Sequence, residues 1–152
     1  MADYVDYQPR EHLIKQGTTG YEFISELAHL LVNGASSTDL TRAYEAFVGR
    51  WSRRVAPDFI QWLALPGGLR WLDIGCGTGA LSRAILDGAE PRALVGVDPS
   101  AGFLAAAAHG LPPAVLLCRA GAEALPLSDA SVDVVVSGLV LNFLPDLPRA
   151  LA

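Results

Sequence analysis

The seven residues Asp73-Ile-Gly75-Cys-Gly77-Thr-Gly79 constrain this chain more than any other stretch. They stand between a short apolar run, Arg70 to Ile74, and a segment from Ala80 to Leu86 that reads as a helix. Glycines at alternate positions allow a tight turn and let the backbone approach a ligand closely. The first N–H groups of the helix that follows have no partner within it, so they can meet an anionic or polar group. With 15 glycines in 152 residues, a G-x-G-x-G arises by chance in roughly 0.15 of such chains, and in ~0.02 with an acid two residues ahead.

The surrounding rhythm gives the loop its context. Arg70 to Ile74 is a first strand, Ala93 to Val97 a second, Ala114 to Arg119 a third and Val132 to Ser137 a fourth. Helical segments Ala80 to Leu86 and Ala101 to His109 fall between them. Short, nearly all-apolar strands alternating with helices predict a parallel sheet covered on both faces, an α/β doubly wound Rossmann-like domain. Upstream, residues 1–20 read as a polar arm and Tyr21 to Asn33 as a helix, so 1–35 form an arm and helix. Residues 36–68 form a helical lid segment, with one helix from Leu40 to Ser52 and another from Pro57 to Leu65, Pro57 suiting its first turn. The Rossmann-like domain then occupies 69–152.

Composition narrows the class. The chain is 51% hydrophobic and 18% charged with a net charge of −5, too apolar for intrinsic disorder. Its acidic balance argues against a broad nucleic-acid surface. The best apolar run, Val134 to Leu144, is interrupted by Ser137, Gly138 and Asn142 and falls short of a membrane span. The first residues show no signal peptide. Cys76 and Cys118 have no metal-type spacing and suggest a reducing compartment. The expectation is a cytoplasmic domain with no membrane or nucleic-acid partner.

A second mark is Asp98, which closes the second strand 19 residues after Gly79. An acid there can accept hydrogen bonds from both hydroxyls of a ribose. Its alternative role is a carboxylate at the start of the helix opened by Pro99-Ser100. These features leave the cofactor open, because Gly75, Gly77 and Ala80 also read as the G-x-G-x-x-A of a dinucleotide fold.

The residues resemble the class I S-adenosylmethionine-dependent methyltransferases. WLDIGCGTG (Trp71 to Gly79) is similar to that family's first motif, and VGVDPS (Val95 to Ser100) to its second. The stretch Ala120 to Asp146 resembles the family's G-D-A-E-x-L-P-F-x-D-x-S-F-D-x-V segment and the strand after it, and Tyr44 to Arg53 a helical segment upstream. The resemblance covers about residues 40–152 and implies S-adenosyl-L-methionine as cofactor and a small-molecule methyl acceptor. It implies that Gly75, Cys76 and Gly77 line the methionine and ribose part, with Asp73 near the methionine amino group. Asp98, followed by Pro99, would hold the ribose hydroxyls. Ala122 and Glu123 would border the adenine, and Ser137 to Leu139 would lie near the sulfonium. Tyr44 and Arg53 would be lid contacts, Arg53 to the methionine carboxylate. No catalytic side chain and no metal site is assigned.

There are departures from the family pattern. Gly121 stands where an Asp usually contacts the adenine amino group, removing a contact worth about 0.5–1.5 kcal/mol. Asn142 stands where many relatives carry His and receives no proton-transfer role. The family's sheet has three further strands, so one edge of the fourth strand is expected to be bare. On this reading the chain is a fragment of a longer protein, or one that completes its sheet by pairing with a partner or with itself.

Other residues have plainer readings. His12, His29 and His109 show no ligand spacing. Cys76 could have its pKa lowered by the helix terminus, though fitting beside a ligand is the simpler role. Trp51, Phe59 and Trp62 read as core packing, and Arg50, Arg53 and Arg54 as a solvated face. Two competitors to the methyltransferase remain: an NAD(P)-dependent oxidoreductase using the same loop, and a truncated nucleoside-binding module without activity.

Overall fold

Along the chain a π-helical turn Glu45–Gly49 leads into α1 (Arg50–Leu63), then β1 (Arg70–Ile74), α2 (Ala80–Gly88), β2 (Ala93–Asp98), α3 (Ala101–Gly110), β3 (Leu116–Arg119), β4 (Val134–Val136) and α4 (Leu147–Ala150). The computed structural model describes residues 44–141, 144 and 146–150. The expected arm, the helix Tyr21 to Asn33, the start of the Leu40 to Ser52 helix and Asn142 lie outside the described residues.

The four strands pair in parallel in the order β3-β2-β1-β4. This is the Rossmann-like α/β arrangement that the alternating pattern predicts. The chain runs from β1 to β2 and β3 on one side, then returns to lay β4 on the other. Strand order therefore reverses between β1 and β4, and the crevice at the carboxyl ends of strands flanking such a reversal is where open α/β sheets bind ligands. The register sets Asp73 of β1 between Gly96 of β2 and Val136 of β4.

Alternation along β1 sorts its side chains onto two faces. Trp71 packs with Ile60, Leu81, Ile85, Leu94 and Val136, under α1 and α2. Leu72 and Ile74 pack on the opposite face with Val97 and Ala122. Trp71, Leu72, Ile85 and Val97 are all but fully buried, each contributing about 1.5–3 kcal/mol of transfer free energy. Toward the edges the burial thins: Leu116 on β3 and Val135 on β4 are more than half exposed. Among the described residues β4 pairs with β1 alone. Its approach is fastened by Arg70, whose guanidinium donates to both carboxylate oxygens of Asp133 at 3.0 and 2.7 Å. The backbone N–H of Arg70 donates to the same carboxylate at 2.8 Å.

Three expectations need correction. The helices expected at Leu40 to Ser52 and Pro57 to Leu65 are not separate, since α1 runs through Pro57 without a break. A proline inside a helix removes one hydrogen bond and costs about 3 kcal/mol. Here Ala56 and Ile60, on either side of it, are buried in the core beneath α1, and that burial outweighs the break. The helix ends at Leu63, with Ala64 in the left-handed region at φ 47°. Trp51 and Trp62 are not core residues, being 51% and 76% exposed. Both lie away from the buried positions of α1, Ala56 and Ile60; Trp51 lies beneath the guanidiniums of Arg50 and Arg54, and Trp62 stacks on Phe59. Finally, β3 begins at Leu116 rather than Ala114, and β4 is confined to Val134–Val136.

Candidate functional site

The glycine loop turns back on the end of β2. The N–H groups of Gly75 and Cys76 both donate to the Val97 carbonyl, at 2.8 and 3.0 Å. Gly75 has φ +68°, and a Cβ on it would stand 2.5 Å from a Val140 methyl, so only glycine fits both the turn and the neighbour. The Gly77 N–H donates to Asp98 Oδ2 at 3.0 Å, while Asp98 Oδ1 accepts the Ser100 N–H at 2.8 Å. Asp98 therefore fills the helix-opening role offered above as its alternative, and holds the loop as well. Burial pushes its carboxyl above the usual range, against the two backbone donors that lower it. Each of its oxygens keeps acceptor capacity for a further donor.

Asp73 lies at the penultimate position of β1 and is 1% exposed. Ser82, also fully buried, donates its hydroxyl to Asp73 Oδ2 at 2.6 Å. Asp73 Oδ1 is buried and has no partner among the described residues. Burial raises the Asp73 carboxyl to about 7, and the nearby Asp98 adds to the shift while the Ser82 hydrogen bonds oppose it.

A cavity of about 180 Å³ opens at the carboxyl ends of β1 and β4. Its floor is Asp73, Gly75 and Cys76, one wall is Ser137 to Leu139, and α1 covers it with Ser52, Val55 and Phe59. Ser137 is fixed there by donating its hydroxyl to the Ile74 carbonyl at 2.9 Å. Tyr44, the residue that caps the π-helical turn, completes the lining, its ring against Phe103 at 4.9 Å between centroids. A Cβ on Gly77 would stand 3.6 Å from the Tyr44 hydroxyl, so the tyrosine lies directly over the loop. Burial raises the Tyr44 phenol, reinforced by the charges of Glu45, Asp98 and Asp73.

Seven of the residues expected to contact the cofactor thus line one cavity: Tyr44, Asp73, Gly75, Cys76, Ser137, Gly138 and Leu139. Gly77 and Asp98 stand beside it as loop and clamp. Others lie elsewhere. Arg53 is half exposed and pairs with Glu45, whose other oxygen accepts the Thr78 hydroxyl. Ala122 is buried in the core on the far face of the sheet, and Glu123 stands close to Gly121 with its Oε1 buried and without a partner among the described residues. The Pro99 carbonyl accepts Arg119 Nε at 3.0 Å. The idea of an activated Cys76 is corrected: burial pushes its thiol up, and Asp73 and Asp98 push it further. Its sulfur packs close over Gly96, where a Cβ would lie 3.0 Å from it.

Sequence reasoning missed Glu45, Thr78 and Ser82. Ser82 carried a usable signal, since the third position of a helix after a glycine loop faces the strand that precedes the loop. Glu45 and Thr78 are 33 residues apart, and no local pattern links them. Among the described residues no group of three His, Cys, Asp or Glu side chains could hold a metal, and no helix is long and apolar enough to cross a membrane.

Comparison with known proteins gives this geometry a family context. Residues 72–152 match the family described as "Methyltransferase domain". An uncharacterized methyltransferase of Mycobacterium tuberculosis is 34% identical over 104 residues, covering 66% of this chain and 42% of that protein. A malonyl-[acyl-carrier protein] O-methyltransferase of Geobacter sulfurreducens is 39% identical over 85 residues, covering 55% of this chain and 32% of that protein. The crystal structure of an S-adenosylmethionine dependent methyltransferase from Mesorhizobium loti superposes with a TM-score of 0.52 at 34% identity, covering 61% of this chain and 43% of that one. The chain thus spans less than half the length of the curated relatives it matches.

Proposed function

The chain belongs to the class I S-adenosylmethionine-dependent methyltransferase family, and on that premise we propose that its cavity holds S-adenosyl-L-methionine and that the whole protein methylates a small-molecule acceptor. The observation that carries the reading is Asp73: a buried carboxylate with one unpartnered oxygen, in the wall of a cavity at the strand-order reversal. A ligand bearing an ammonium group meets that need, because a buried acceptor without a donor costs about 1–3 kcal/mol.

On this reading each residue has a limited task. Asp73 accepts from the amino group of the cofactor, and Gly75 and Cys76 form the floor it rests on. Asp98 uses its remaining acceptor capacity for the ribose hydroxyls while holding Gly77. Gly121 gives no carboxylate to the adenine amino group. Ser137 and Leu139 flank the reacting carbon, and Val55 and Phe59 exclude water from it. Arg53 reaches a carboxylate only by leaving Glu45. The bound cofactor supplies a methyl group made electrophilic by its positive sulfur. The chain contributes orientation and desolvation, so no general base is assigned. The Geobacter relative is named for O-methylation of malonyl-[acyl-carrier protein]. Here the acceptor is proposed only as a small molecule meeting the apolar wall of Val55, Phe59 and Leu139.

The dinucleotide alternative fits less well. A pyrophosphate over this loop would bring two negative charges beside the buried acids Asp73 and Asp98, and the described residues lining the cavity include no cation to offset them. Equilibrium dialysis of the chain against S-adenosylhomocysteine and NAD tests the choice. Saturable binding of the first alone is the expected result, and saturable binding of NAD alone would reverse the assignment.

A further inference from the structure

Ser82 is out of place in α2. The other buried residues of that helix, Leu81, Ala84 and Ile85, are apolar and serve the core. The Ser82 hydroxyl instead donates to Asp73 Oδ2 at 2.6 Å. This bond uses one oxygen of a residue that lines the cavity, and leaves Oδ1 buried without a partner among the described residues. Among the described residues the titratable groups facing Asp73 are Asp98 from β2, Cys76 from the loop and Tyr44, which caps the π-helical turn. All are acids, and none supplies positive charge. A buried carboxyl in such company holds a proton until a cation arrives.

We propose that Asp73 and Ser82 form a proton-linked receptor for an ammonium-bearing ligand: Ser82 holds Oδ2, and Oδ1 releases its proton to solvent as the ligand's ammonium takes its place. The proposal rests on the cofactor reading above and adds to it a pH dependence and a positioning role for Ser82. Ligand binding is then coupled to ionisation of one side chain, and the apparent affinity scales with the ionised fraction. With the carboxyl at about 7, affinity for an ammonium-bearing ligand rises about tenfold from pH 6 to pH 8. Close to one proton is released per ligand at pH 6 and almost none at pH 8.

The test is calorimetric titration of the chain with S-adenosylhomocysteine at pH 6, 7 and 8, in buffers of different ionisation enthalpy. 5′-Methylthioadenosine, which keeps the nucleoside and the sulfur but lacks the amino acid part, is titrated in parallel. The expected result is a tenfold slope and proton release for S-adenosylhomocysteine, with neither for 5′-methylthioadenosine. Asp73→Asn should abolish the slope. Ser82→Ala should move its midpoint to higher pH, because the hydroxyl bonds to the ionised form. A flat profile without proton release for S-adenosylhomocysteine, with both ligands bound, overturns the proposal and leaves the cofactor reading standing. An equal slope for both ligands also overturns it, since the linkage would then lie at the nucleoside. Failure of both to bind at every pH overturns the cofactor reading, and the proposal with it.

Discussion

The carboxylate of Asp98 accepts the N–H of Gly77 at 3.0 Å, tying the end of β2 to the middle of the glycine loop. The same side chain accepts the Ser100 N–H and so starts α3. One residue therefore sets both the loop and the helix that flanks it, and the cavity inherits its shape from that arrangement. In the proposed function Asp98 also receives the ribose hydroxyls.

Replacing Asp98 with Ala removes the clamp and the proposed ribose contact together. Binding of S-adenosylhomocysteine should weaken at least ~10-fold, the loss of about 1.4 kcal/mol that one charge-assisted hydrogen bond supplies. Asp98→Asn, which keeps one acceptor oxygen, should lose less. Unchanged affinity in Asp98→Ala, measured by calorimetry, would remove Asp98 from the binding site.

Gly75 and Gly68 both have positive φ, at +68° and +81°, but differ in surroundings. A Cβ on Gly75 would press on Val140 at 2.5 Å, whereas at Gly68 nothing lies within 4 Å. Gly68→Ala should cost only the backbone strain of about 1–2 kcal/mol. Gly75→Ala should cost that and a further ~1–3 kcal/mol of overpacking. Thermal melts compare the two directly, and an equal loss would mean that the Val140 contact yields freely.

Arg70 and Asp133 give the sheet an acid-sensitive fastening. The Arg70 side chain and backbone donors hold the Asp133 carboxyl down at about 2. A carboxyl depressed in the folded state stabilises it above the unfolded value near ~3.9 and loses that effect as pH falls through the folded value. The stability difference between wild type and Asp133→Asn should be full at pH 5 and vanish on approaching pH 2. A difference that does not change across this window would show that the pair is not charged in the way described.

Much of this architecture was legible in the sequence. The bounds of β1 and the starts of α2, β2 and α3 follow from apolar runs closed by glycine or by a cap such as Ser100, whose side chain accepts the Phe103 N–H. Local signals failed where tertiary contacts decide. Pro57 reads as the first residue of a helix, yet it sits in the middle of α1 because the residues around it are buried together. Trp51 and Trp62 read as core by composition, and only the facing of α1 reveals them as surface. The Glu45 contacts to Arg53 and Thr78 depend on how the upstream helix lies across the loop. Asp73 was legible as a site residue, but its unpartnered oxygen and its bond from Ser82 were not.

The central claim is that the cavity beside Asp73 binds an S-adenosyl ligand, and a thermal melt of the chain with and without S-adenosylhomocysteine tests it most directly. At ligand near 100 times the dissociation constant, binding adds about 2.7 kcal/mol. For a chain of this length that raises the midpoint by about 5–10 °C. A cooperative transition shifted by this amount, with no shift from NAD, is the result the account predicts. A cooperative transition that S-adenosylhomocysteine leaves in place contradicts it.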